Sequence, residues 1–357
     1  MKTPKYTLTN LLLTYILRYE LALKDIKYNP LPEKYYDEIR ERFASEDINS
    51  LGELISFPIG YNKSLTIQRG QEKPSEKKQY RIFTNFRNAK DFVNSYQDNN
   101  SLKPSTELSM HINRLITKDI IDDTDIGKLR TFSEKPNDIY DTWYKYRDFY
   151  PHLDPIPYFN EIYEWIQNGK DNNHLLIKIG ILLYEFIDKA PFLGGNQITS
   201  LLMIETVTKK YGYNPDNIFP MFKFIESIYE DLPSALRLSK SKSDYTTFLE
   251  AFLYAVSKGV VNCTESIKDT YTKKVKKQGS LELQLNQRQI KLIDYLTVNQ
   301  KITRSKFTKM MGMSFMTSYR DIQDMIQKGH IKQRGKGRGT YYILSRELEP
   351  KDDIILE

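Results

Sequence analysis

Leu175, Leu176, Ile179, Leu182, Leu183, Phe186 and Ile187 recur at steps of 1, 3, 3, 1, 3 and 1. That spacing lays a wide apolar stripe along a helix and does not fit the period of two that a half-buried strand needs. A break comes at 190–195. A second apolar helix then carries Ile198, Leu201, Leu202 and Ile204, ends in Lys209 and Lys210, and stops at Gly212, with Asn196 placed to cap it. Tyr158, Ile162, Trp165 and Ile166 form a further amphipathic face before this pair. No β-rich segment occurs before residue 280, so the body of the chain is expected to be all-α.

The first 115 residues read as helices joined by polar loops. Leu11, Leu12, Leu13, Tyr15, Ile16 and Tyr19 have the spacing of a buried helix, Pro30 and Pro32 punctuate the chain beyond it, and 73–78 is a charged, proline-containing loop. A helical pattern resumes near Thr84, with Phe86, Ala89 and Val93. At the other end of the body, the lysine-rich stretch TYTKKVKKQGS reads as a junction. The expected divisions are an N-terminal helical region 1–115, a helical domain 116–270, a linker 271–284, a small α+β domain 285–345 and a tail 346–357.

Composition narrows the function classes. With 357 residues, 39% hydrophobic and 28% charged, the chain is neither disordered nor membrane-dominated. Its longest apolar runs, such as 179–183, fall far short of the ~20 residues that span a bilayer, so no membrane partner is expected. Thr7 to Asn10 interrupts any apolar run before Leu11, so no secretory leader is expected. The lone Cys263 offers neither a disulfide framework nor a thiolate cluster, and a cytoplasmic setting is expected. His111, His152, His174 and His330 are too widely spread for metal-ligand spacing, so no metal is expected.

The net charge of +7 is unevenly placed. Between Asn286 and Ser345 twelve Lys and Arg face three Asp, a segment charge of +9, which leaves the rest of the chain at −2. A near-neutral body with one basic module points to a polyanion at that end. The module has a definite order of elements. Gln287–Thr297 is helical through Ile290, Ile293 and Leu296; Thr303 caps a second helix with Phe307, Met310 and Met311; Gly312 and Met313 turn; and Ser314 caps a third that runs to Lys328. Gly329 stops it before a strand 330–333, the tip RGKGRG, and an aromatic strand 340–344. Three helices followed by a β-hairpin is the order of a winged helix-turn-helix, which is the fold expected here. The third helix turns Ile322, Met325 and Ile326 inward and leaves Met316, Arg320, Gln323 and Gln327 on the other face. Thr317, Arg320, Lys336 and Arg338 are the expected DNA contacts, with Arg reaching base edges or phosphates and the tip neutralising the backbone.

The break between the two apolar helices reads APFLGGNQITSL from Ala190 to Leu201. It resembles the core motif HPFx(D/E)GNGRxxR of the Fic/Doc family. The similarity extends to 174–186 before the motif, to Gly127–Arg130 and 151–166 at the family's target-binding flap region and the helix after it, to Ile82–Val93, and to 314–344, which is similar to the winged helix that many bacterial Fic proteins carry. It spans roughly residues 50–345, and its strength lies in the shared order of five short matches.

The resemblance implies an all-α Fic-like body followed by a winged helix. In active members the motif histidine deprotonates a target hydroxyl that attacks the α-phosphate of ATP, an acidic residue holds Mg²⁺, the GNG backbone cradles phosphates, and the arginines bind the polyphosphate. On this sequence the histidine becomes Ala190, the acidic residue Gly194, the second glycine Gln197, and the arginines Ile198 and Leu201. Only Pro191, Phe192, Gly195 and Asn196 match. The family's inhibitory glutamate is expected near 56–62, where Gly60 stands in its place. Asp188, the nearest carboxylate, points about 200° away from residue 190 around a helix. The resulting expectation is a pseudo-adenylyltransferase without a cofactor, with residual nucleotide contact confined to Gly195, Asn196 and Gln197 at a helix N-terminus. Expected partners are duplex DNA, a target protein at the flap and a second copy of the chain. Two alternatives remain: an atypical Fic enzyme using ATP and Mg²⁺, and a protein-interaction module using the flap.

Overall fold

The computed structural model describes residues 4–28, 33–71, 78–95, 103–131, 134–136, 154–168, 171–215, 218–282 and 285–345. These form two compact units, 1–268 and 269–357. The first is built of α1 (Asn10–Tyr28), α2 (Glu33–Leu54), α3 (Tyr61–Gln68), α4 (Lys78–Asn94), α5 (Thr106–Thr117), α6 (Pro155–Gln167), α7 (Leu175–Lys189), α8 (Asn196–Lys210), α9 (Met221–Glu226), α10 (Leu232–Lys242) and the first part of α11 (Thr246–Glu282). Among the described residues of this unit the only β pairing is an isolated bridge between Leu129 and Phe192. The body is all-α, as its periodicity requires.

Helix α8 is the centre of this unit. Every residue from Asn196 to Lys209 is buried, and α4, α5, α7 and α9 pack around it. Such a helix must satisfy its polar side chains internally. Ser200, Thr206 and Thr208 do so by donating to the carbonyls of Gln197, Leu202 and Ile204 at 2.8–2.9 Å. Helix α7 is buried nearly as completely, and it lies so close to α11 that a Cβ on Gly180 would stand 2.6 Å from Leu249 Cδ2. Removing side-chain volume at that one position lets the two helices touch.

Several local expectations change in three dimensions. In α1, Leu12, Ile16, Tyr19, Leu23 and Ile26 form the buried stripe, whereas Leu11 and Leu13 are exposed. A run of three leucines covers 200° of a helix, and only one of the three can face the core. Helix α4 begins at Lys78 rather than near Thr84. The loop expected at 73–78 lies outside the described residues up to residue 77, as does the flap at 132–133 and 137–153. The backbone of 271–282, read as a linker, continues α11.

The second unit holds α12 (Gln287–Asn299), α13 (Arg304–Met311), α14 (Phe315–Gln327), and the antiparallel pair β1 (Ile331–Arg334) and β2 (Tyr341–Leu344), in register Ile331 with Leu344. Asn286 closes a capping box with Gln289, Thr303 accepts from the Lys306 N–H, and Ser314 from the Thr317 N–H. Leu292, Leu296, Phe307, Ile322, Met325, Ile331, Tyr342 and Leu344 make its small core. A backbone bridge between Ile302 and Tyr342 ties β2 to the start of α13.

Candidate functional site

The loop between α7 and α8 is closed by its own residues. Ala190 ends α7 in a left-handed conformation (φ +43°), with its N–H on the Phe186 carbonyl at 3.0 Å. Gly195 (φ +70°), rather than Asn196, is the N-cap of α8, and no side chain caps the helix there. Asn196 is instead the first helical residue. Its Oδ1 accepts from the Phe192 N–H at 2.8 Å and its Nδ2 donates to the Phe192 carbonyl at 2.9 Å. Both ends of the amide are thus committed to the loop. Capping propensity placed Asn196 within one residue, but the left-handed turn demands a glycine, and that moves the cap.

The N-terminus of α8 is also packed over from outside. Asn113 of α5 donates to the Gly194 carbonyl at 2.9 Å and to Thr199 Oγ1 at 3.0 Å. A Cβ at Gly195 would stand 3.0 Å from Thr117 Cγ2. Asn196 and Gln197 are each 1% exposed, and Ile198 and Leu201 are fully buried.

Arg130, singled out in the sequence only as part of the flap, lies 5% exposed against the end of α7. Its Nε donates to the Ala190 carbonyl and its Nη2 to the Lys189 carbonyl, each at 2.8 Å, while its N–H donates to the Pro191 carbonyl at 2.9 Å. A guanidinium at a helix C-terminus satisfies orphan carbonyls and complements the dipole together. The signal that could have found it is an arginine beside a helix end whose own residues supply no cap. Asp188 is equally engaged: Lys240 donates to it at 2.8 Å and Lys189 also bonds it. Burial would raise this carboxyl, but the two ammonium groups hold it below the usual carboxylate range. Asp188 is thus held in ion pairs with both lysines.

The four loop positions matched to the motif offer no side-chain ligand of their own for ATP or Mg²⁺. Positions 190, 194, 198 and 201 hold Ala, Gly, Ile and Leu, with no imidazole, carboxylate or cation among them. Among the described residues no group of three or more His, Cys, Asp or Glu could hold a metal ion. Gly60, which the resemblance sets at the place of an inhibitory glutamate, is exposed at the N-terminus of α3 (φ +78°), and a Cβ there would meet nothing within 4 Å.

A buried charge cluster lies further along α8 and was not legible in the sequence. Lys90 of α4 bonds Asp47 of α2 and, at 3.1 Å, Glu205 of α8. Asp47 also accepts the Phe222 N–H of α9 at 3.0 Å. Both carboxylate side chains are inaccessible to solvent. Burial pushes Glu205 up to about 8, against the pull of Lys90 and with added repulsion from Asp47. Asp47 is raised by burial as well. Asp47 and Lys90 line a cavity of about 300 Å³.

In the second unit, Arg320 and Lys336 are exposed, on α14 and in the hairpin tip. Thr317 is half-buried, with its hydroxyl 2.9 Å from Ser314 Oγ, so it belongs to the helix cap. The Arg338 side chain lies outside the described residues. The inward face expected for α14 is found, with Ile322 and Met325 fully buried and Ile326 half-buried. Missed by sequence reasoning is its exposed apolar start, Phe315 and Tyr319 beneath the Arg304 guanidinium.

Comparison with known proteins matches this architecture. Residues 103–208 match the Fic/DOC family model. A Fic family protein from Desulfovibrio desulfuricans is similar in structure at 16% identity and a TM-score of 0.56, over 96% of this chain and 98% of that one. A Fic domain containing signaling protein from Bacteroides thetaiotaomicron has a TM-score of 0.52 at 12% identity, over 72% and 96% of the two chains. Fic-1 from C. elegans has a TM-score of 0.51 at 13% identity, over 72% and 71%. No curated protein matches in sequence. At these identities the shared property is the fold. Residues 103–208 form a Fic/DOC family domain, set in a chain with the fold of Fic family proteins.

Proposed function

We propose that this protein is a catalytically silent Fic-fold regulator whose C-terminal unit, a winged helix-turn-helix, binds duplex DNA. The observation that carries the reading is the complete burial of Ile198 and Leu201, the residues standing where the motif arginines would bind polyphosphate. Losing a general base typically costs 10²–10⁴-fold in rate, and losing a transition-state arginine about 10³–10⁵-fold. Arg130, Asn113 and Asn196 fill the surroundings with fixed hydrogen bonds, and among the described residues no side chain takes over either role. The +9 charge of 286–345 then supplies the sequence's one strong pointer to a partner, a polyanion.

Two measurements on the intact chain test the two halves. Incubation with labelled ATP and Mg²⁺ or Mn²⁺ is expected to label neither the protein nor a lysate. Labelling that Asn196→Ala abolishes would overturn the silent-enzyme half. Gel shifts at about 50 mM salt are expected to show duplex DNA binding whose log affinity falls with log salt at about −0.9 per phosphate contact. Lys336→Ala is expected to flatten that slope, and an absence of binding would overturn the DNA half.

A further inference from the structure

The start of α14 carries an unusual surface. Phe315, Met316 and Tyr319 are 54%, 62% and 44% exposed, and Met310 of α13 is 40% exposed. The spacing 315, 316, 319 puts the three α14 residues on one face of the first turn and a half. Ile322 and Ile326 continue the Phe315 side of the helix into the unit's core, whereas the first turn carries that side beyond the packing and leaves it exposed. The guanidinium carbon of Arg304 lies 4.9 Å from the Phe315 ring centroid and 5.7 Å from that of Tyr319. That stacking holds the two rings in place and puts a cation among them.

The charge around this face is of one sign. Lys306, Lys309 and Arg320 are exposed on the same two helices. The carboxylates of α14 are turned away and neutralised: Asp321 is bonded by Arg288 and Asn286, and Asp324 by Gln289 and Lys328. An apolar face stacked by Arg304, on two helices whose unpaired exposed charges are cationic, fits a polyanion that presents apolar groups between its charges. Duplex DNA does so in one place. The major groove admits an α-helix, is walled by phosphates, and shows a single apolar group, the C5-methyl of thymine. Residues at the N-terminal end of a recognition helix are the ones that reach base edges.

We propose that Phe315 and Met316, braced with Tyr319 beneath Arg304, read thymine C5-methyl groups in the major groove. The proposal rests on the DNA-binding reading and gives it a specificity: sites are selected for thymine at the steps under the first turn of α14.

The test uses the full chain and a randomised duplex library of about 30 base pairs. A duplex enriched from it is remade with uracil in place of thymine, which removes only the methyl groups. One buried methyl is worth about 0.8 kcal/mol, or roughly fourfold in affinity. Uracil substitution is therefore expected to weaken binding by roughly four- to fifteenfold for one or two contacts, at unchanged salt slope. Phe315→Ser with Met316→Ser, both at exposed positions, is expected to bind the two duplexes alike and to keep the circular-dichroism melt of the parent. Equal binding of the thymine and uracil duplexes by the parent, or a thymine preference that survives in the double variant, overturns the proposal while leaving DNA binding intact. Failure of the parent to enrich or bind any duplex overturns the DNA reading itself and leaves the apolar face to a protein partner.

Discussion

Replacing Glu205 by Gln is expected to change how folding stability depends on pH. Two carboxylates share one ammonium group inside the helical body, so the fully ionised cluster carries a net charge of −1 on carboxylates shielded from solvent. One proton held between the carboxylates makes the cluster neutral. Asp47 accepts from Lys90 and from the Phe222 N–H, contacts that favour its anion, whereas Glu205 Oε2 has no hydrogen-bond partner among the described residues. The proton is therefore best placed on Glu205, whose carboxyl is pushed up from 4.5 to about 8. A raised carboxylate works in the opposite direction to the usual acid-labile ion pair. Below about pH 4.5 both folded and unfolded chains hold the proton. As pH rises towards 8 the unfolded chain releases it and the folded chain does not, so stability falls at up to about 1.4 kcal/mol per pH unit. Above 8 the loss levels off. From pH 6 to pH 8 this group alone removes about 2–3 kcal/mol from the parent. Glu205→Gln keeps the shape and an oxygen for Lys90 but does not titrate. Urea unfolding of both proteins at pH 6, 7, 8 and 9 is expected to show the variant gaining on the parent by that amount up to pH 8 and then running parallel. If the two stay within about 0.5 kcal/mol of a constant offset over the whole range, the cluster does not hold a proton and the reasoning is wrong.

Three further outcomes concern the loop and its neighbours. Arg130→Met keeps most of the packing but strands the Lys189 and Ala190 carbonyls, and is expected to cost about 3–5 kcal/mol in urea unfolding; a loss under about 1 kcal/mol would show that the clamp is idle. Ile198→Arg, which restores a motif residue, is expected to give unfolded or aggregated protein, because it removes about 2–3 kcal/mol of burial and desolvates an unpaired cation, whereas Ile198→Met is expected to stay within about 1.5 kcal/mol of the parent. Ala190→His alone is expected to give no AMP transfer in the labelling assay, since a base without bound polyphosphate has nothing to activate an attack upon; clear turnover would show that ATP is held productively.

The second unit was the most readable part of the chain. Thr303 and Ser314 act as the caps their positions suggest, and Gly312 takes the left-handed C-cap between α13 and α14. Those signals are local: a side chain bonding a backbone group three residues away carries its information in the sequence itself. The apolar start of α14 was less readable, because Phe315 and Tyr319 share the helix side of the buried Ile322, and only the tertiary structure shows that the core does not reach the first turn. The same ambiguity let Leu11 and Leu13 pass as buried.

Periodicity and capping by themselves determined the all-α body, the two apolar helices around the loop, and the order of three helices and a hairpin, because each depends on contacts within about four residues. The identity of the residues at 190, 194, 198 and 201 likewise needed no coordinates. Only the tertiary structure decided what fills the loop. Asn113, Arg130 and the bridge from Leu129 to Phe192 come from segments about 60 to 80 residues away. It also decided that Asp47, Lys90 and Glu205, from three separate helices, share one buried site. A charge is tolerated in a core only beside its partner, and which partner arrives is set by which helices meet, a property that no single stretch of sequence contains.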